Sequence, residues 1–221
     1  MSTSRANQSD APVLTETSEE VEYELRAAEG SMWTGSRLLI GIVGFGFASL
    51  AFAYFYLRSA NNENLWRPHG VTAPTGLGAA IFVLSVAAGA LSIFGTMRLR
   101  QGLRVDWAVA GWTVVLVGLV IVGLQIWELT RLSFYPGSSG YASCFIAWAA
   151  MNVALVLGAT YWIETLLARS IRLGRALAEE RATNVGLSVG RLFRANVEGC
   201  TLFWGFAGLV GALFWVLFYI L

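Results

Sequence analysis

Three carboxylates stand where carboxylates are costly. Glu128 lies near the end of a long apolar run, Trp107–Leu129, with Gln125 just before it and Arg131 in the loop beyond. A carboxylate in such a run must reach the membrane interface or a partner. Two chemistries are open to it. One is a protonatable group facing a bundle interior or a neighbouring protein. The other is an interfacial ion pair with Arg131. Gln125 falls on the same helical face, within reach of a hydrogen bond to Glu128. Glu164 and Glu198 stand near the ends of two further apolar runs among arginines, where a solvated charge is the expectation.

Other reactive groups are few. His69 is the single histidine, in a polar loop, so no nucleophile, base and orienting group can be assembled around it. One histidine and two cysteines cannot make a conventional multi-ligand site for haem, copper or zinc. Cys144 and Cys200 open two different apolar runs; if the runs alternate in direction, the thiols lie on the order of 30 Å apart, beyond disulfide reach. No GxxxxGK phosphate loop exists, and lysine is absent: all 15 basic residues are arginine. Those arginines flank apolar runs, so no basic patch remains for nucleic acid.

The elements that must hold these residues follow from hydropathy. Hydrophobic residues make up 56 % of the 221 and charged residues 13 %, with a mean hydropathy of +0.61. Apolar runs near or above about 18 residues recur, apolar on all sides, and each is long enough to cross a bilayer. The sequence therefore predicts an all-α integral membrane protein of five transmembrane helices, at about 36–57, 77–97, 105–129, 141–166 and 199–221. Residues 1–30 are polar and acidic, an expected disordered tail in which EEVEYELRAAEG has the makings of a surface helix. Residues 31–221 form the membrane domain. Ser85 and Gly89 put small residues four apart on the second span. Gly205, Gly208 and Gly211 do the same at spacings of three on the fifth, and both patterns suit close helix approach in lipid. The tryptophans (Trp107, Trp112, Trp127, Trp148, Trp162, Trp204, Trp215) suit an interface belt or helix packing.

Arginine also sets the expected orientation. Twelve arginines fall in the tail, the 98–104 turn and the 169–196 segment; three fall in the other loops. Arginine concentrates on the cytoplasmic side, so the amino terminus is expected there and the carboxyl terminus outside, the chain ending within its last span.

The central stretch resembles subunit III of the haem-copper, cytochrome c oxidase type. The resemblance rests on GLQIWE, a short loop and then SSGYASCF, with AYFYLRSA and LWRPHG before them and VEGCTLFWGFAGLVGALFWVLFYIL closing the chain. It runs over residues 36–221 and is similar to the five-helix form lacking two leading helices. Several polar residues usual in the family are replaced: Gly44 stands for a glutamate of the first span, Met151 and Ala154 for a histidine pair, and Trp204, Gly205, Phe206, Ala207, Gly208 for Trp-His-Phe-Val-Asp. The resemblance implies a non-catalytic accessory subunit of a bacterial terminal oxidase in the plasma membrane. It implies no active site or cofactor in this chain, with haem and copper in catalytic subunit I, subunit II and other respiratory partners. It also implies bound phospholipid, for which Arg98, Arg104, Arg169 and Arg172 are the headgroup candidates, and support of proton uptake. Glu128, Gln125, Arg131, Glu198 and Glu164 are the structural or proton-related candidates. The rival readings are an accessory subunit of a related complex, such as nitric oxide reductase, and a small transporter.

Overall fold

In a computed structural model the backbone is described for residues 11–60, 66–68, 70–179 and 185–221, and side chains for 19–60, 66–68, 70–174 and 190–221. The described residues are helical and contain no strand. Helix α1 spans Ala11–Ser59, α2 Thr75–Arg100, α3 Arg104–Thr130, α4 Gly140–Glu179 and α5 Val185–Trp215, which runs on into a π-helical turn, Val216–Ile220. Each carries a stretch long and apolar enough to cross a membrane, with window hydropathies of 1.8 to 2.3. Lipid leaves no water to satisfy backbone amides, so each crossing has to be a helix that bonds its own backbone. The chain is a multi-pass membrane protein.

Helix α5 is the hub, packing on α1, α2 and α4, while α3 bridges α2 and α4. Without a hydrophobic drive between helices in lipid, close approach of small residues holds such contacts. The α2–α5 seam shows this. A methyl added at Gly208 would stand 3.2 Å from the Ser85 carbonyl oxygen, and one at Gly89 would stand 3.2 Å from that of Trp204. Two of the glycines expected on the α5 face, Gly208 and Gly211, meet α2 at Ser85; Gly205 opens onto free space. Large apolar side chains such as Phe45, Val105, Leu116 and Leu209 point outward, as a lipid-facing surface requires. Trp148 and Trp204 are fully buried packing residues, whereas Trp112 and Trp127 are exposed.

The polar stretch ahead of the first span is helical from residue 11 onward. Helix α1 begins at Ala11 and carries the polar stretch and the first span as one 49-residue rod. A physical cause is Arg191 of α5, which forks onto Glu29 through Nε and Nη2, both at 2.9 Å, and onto Glu22 through Nη1 at 3.0 Å. Arg26 adds a bond to Glu22 one turn away. Residues 1–10 lie outside the described residues, as does His69.

Candidate functional site

The bundle has an arginine-rich end and an opposite end, and Glu128 lies at the opposite one, in the last turn of α3. Its exposure is 0 %, as are those of Gln125 and Asn152. Residues 125 and 128 share a helix face, and Gln125 Nε2 donates to Glu128 Oε2 at 2.5 Å. The Tyr219 hydroxyl donates to Glu128 Oε1. Asn152, on α4, donates from Nδ2 to Gln125 Oε1 at 3.1 Å, while its own Oδ1 has no hydrogen-bond partner. Three elements thus meet in one chain of hydrogen bonds: Asn152, Gln125, Glu128 and Tyr219.

Tyr219 reaches the carboxyl because of the π-helical turn and a gap in α2. The last carbonyls of a helix have no intrahelical amide to accept from. Here tyrosines take them: Tyr54 of α1 donates to the Leu217 oxygen at 2.6 Å and Tyr141 of α4 donates to the Phe218 oxygen at 2.9 Å. Tyr219 lies within this π-turn, between the two carbonyl anchors and the end of the helix. Beside it, Gly78 in the first turns of α2 leaves the space that the Tyr219 ring occupies, since an added methyl would overlap the ring. Aromatic edges from Tyr54, Trp66, Tyr141, Phe145 and Phe218 pack the same end.

The ion pair expected between Glu128 and Arg131 does not form. Helix α3 ends at Thr130, and Arg131 caps it through its backbone amide on the Glu128 carbonyl. Its side chain turns away, the guanidinium lying 5.8 Å from the centre of the Trp127 ring. The neighbouring arginines are engaged elsewhere: Arg67 lies over the Tyr141 ring at 4.6 Å, and Arg58 donates to the Tyr54 hydroxyl at 3.2 Å. Every described partner of the Glu128 carboxyl is neutral.

The other sequence candidates separate. Glu198 pairs with Arg100, N to O 2.7 Å, at the arginine-rich end, in a half-open position where such a pair contributes about 0–1 kcal/mol. Glu164 is exposed. Arg98 stands 3.7 Å from Asp106 and 5.0 Å from the Phe94 ring centre, and Arg104 opens α3 on the same turn. Arg169 and Arg172, by contrast, come together on the wall of a cavity of about 250 Å³ with Met32, Leu192, Phe193 and Asn196. Neither has a carboxylate partner among the described residues. Both cysteines are free and buried, near opposite ends of the bundle. Among the described residues, no three His, Cys, Asp or Glu side chains gather as a metal would need.

Sequence reasoning missed Asn152 and Tyr219. Asn152 carried a usable signal, an amide inside an apolar run, which in lipid demands a partner. Tyr219 carried none, since a terminal tyrosine is also what an interface belt contains. The chain matches no protein-family model and no curated protein.

Proposed function

We propose that the chain is a non-catalytic accessory subunit of a bacterial haem-copper terminal oxidase, of the subunit III kind. In this reading it lies in the plasma membrane with its arginine-rich end in the cytoplasm. It stabilises the catalytic subunit, holds phospholipid and supports proton uptake, while haem and copper stay in the partner subunits. One observation carries the reading. The segments on which the resemblance rests, far apart in sequence, converge on one site: Gln125 and Glu128 of GLQIWE, Tyr141 of SSGYASCF, and Tyr219 of the closing helix. A motif whose pieces meet in space has a structural reason to exist as a unit.

The cavity of Arg169 and Arg172 fits the lipid part of this reading. Guanidiniums recognise phosphate by paired hydrogen bonds, and Met32, Leu192 and Phe193 offer apolar wall to acyl chains. Arg98 and Arg104 are the lesser headgroup candidates, because Arg98 already has a carboxylate and a ring.

The test is purification of the tagged chain in mild detergent from respiring cells. A haem- and copper-bearing catalytic subunit should co-purify in equal proportion, and the chain stripped of its partners should show no haem absorption. Recovery of the intact chain with no haem-bearing partner, or haem bound to the chain alone, would refute the reading. Haem type and copper content of the partner distinguish an oxidase from a nitric oxide reductase.

A further inference from the structure

We propose that Glu128 is a proton-binding site that holds its proton at neutral pH, a neutral carboxylic acid within the bundle. The inference does not depend on the oxidase reading.

Burial sets the argument. The Glu128 side chain has no exposure, and an ionised carboxylate in such a place requires a cation or several strong donors to offset lost hydration. Its described contacts supply no cation. From α3 comes the Gln125 amide, and from the end of α5 the Tyr219 phenol. Tyr141 of α4 and Tyr54 of α1 turn their hydroxyls to backbone carbonyls. Arg67 and Arg58 engage those two tyrosines, and Arg131 faces Trp127. On the α2 side the wall is Gly78.

Geometry agrees. The Gln125 amide and the Glu128 carboxyl are in direct hydrogen-bond contact. The oxygen and nitrogen of a side-chain amide are interchangeable by a half-turn, and their placement follows from the network. The two amides can therefore turn over together. With the proton on Oε2, Glu128 donates to the Gln125 oxygen, and the Gln125 nitrogen donates to the Asn152 oxygen. The position without a partner then passes from the Asn152 oxygen to its nitrogen, so the count of bonds among the three residues stays the same. Tyr219 donates to Oε1 in either arrangement. The amide pair thus accepts a proton on Glu128 without losing a hydrogen bond between the three residues.

Infrared spectroscopy of the full chain, in its complex or in detergent at pH 7, tests this directly. The wild type should show the carbonyl stretch of a neutral carboxylic acid, moving on exchange into heavy water. Glu128→Gln should remove it and leave the carboxylate bands untouched. In Tyr219→Phe, which keeps the ring and its packing, the same band should survive at higher frequency, because Oε1 has lost a donor. This second variant serves even if Glu128→Gln fails to fold. A wild-type spectrum with no neutral-acid band would overturn the proposal. So would a Glu128→Gln spectrum that loses carboxylate intensity instead, or a Tyr219→Phe band that does not move.

Discussion

Gly78 makes the sharpest test of how the site is built, because a single methyl there should unseat Tyr219. The perturbation is Gly78→Ala, compared with Gly76→Ala one residue pair earlier in the same helix. Both changes remove a glycine from the start of α2, and the backbone gain, up to about 1 kcal/mol, is shared. At Gly76 the new methyl meets nothing within 4 Å. At Gly78 it overlaps the Tyr219 ring and hydroxyl, so the ring must swing away. Overpacking of this kind costs about 1–3 kcal/mol, and the lost bond to Glu128 lies in the same range if the buried acceptor stays unpaired. The two costs describe one displacement, so they are not summed. Gly78→Ala should be less stable than Gly76→Ala by about 1–3 kcal/mol. Unfolding by sodium dodecyl sulfate titration in mixed micelles, read by helical circular dichroism, gives that difference. Repeating the pair in a Tyr219→Ala background closes the cycle: with the ring gone, the gap should shrink to within about 0.5 kcal/mol. Equal stabilities in the wild-type background, or a gap that persists without the ring, would refute the account of Gly78 as the space for Tyr219.

Other expectations follow from the same contacts. Gly208→Ala presses a methyl onto the Ser85 carbonyl and should lower the unfolding midpoint in detergent, at a cost of about 1–3 kcal/mol, while Gly205→Ala, facing open space, should be neutral or slightly stabilising. Glu128→Leu leaves the Gln125 side chain and the Tyr219 hydroxyl without their hydrogen-bond partner, so it should be less stable than Glu128→Gln by about 2–4 kcal/mol in the same titration; equal losses would mean that the site contributes only volume. For the proposed orientation, Ser138→Cys should react with a membrane-impermeant thiol reagent in intact cells, and Gly174→Cys only after permeabilisation. The reverse pattern would invert the topology.

The five crossings were readable from hydropathy because lipid enforces one solution to the backbone problem, the helix. Helix limits were less readable, because hydropathy marks where lipid begins and not where helical bonding stops. Helix α1 runs back to Ala11 through glutamates that no membrane criterion would include, held by an arginine more than 160 residues away. The small-residue faces of α2 and α5 were legible as faces. That Ser85 would meet Gly208 and Gly211, and that Gly205 would stand open, depends on a crossing angle that spacing does not encode. The same boundary between local and distant information divides the site. Glu128 drew attention by its cost, and Gln125 was legible as its partner because three residues along a helix is a fixed geometry. Arg131 looked equivalent at the same spacing on the other side, but the helix ends between the two, so the geometry that licenses a three-residue contact stops applying at Thr130. What replaces the ion pair is Gln125 together with Tyr219, 91 residues distant, and behind Gln125 stands Asn152, 27 residues further on; all three groups are neutral. That substitution changes the chemistry. An arginine beside Glu128 would have fixed a charge there, whereas two amides and a phenol leave the carboxyl free to hold a proton.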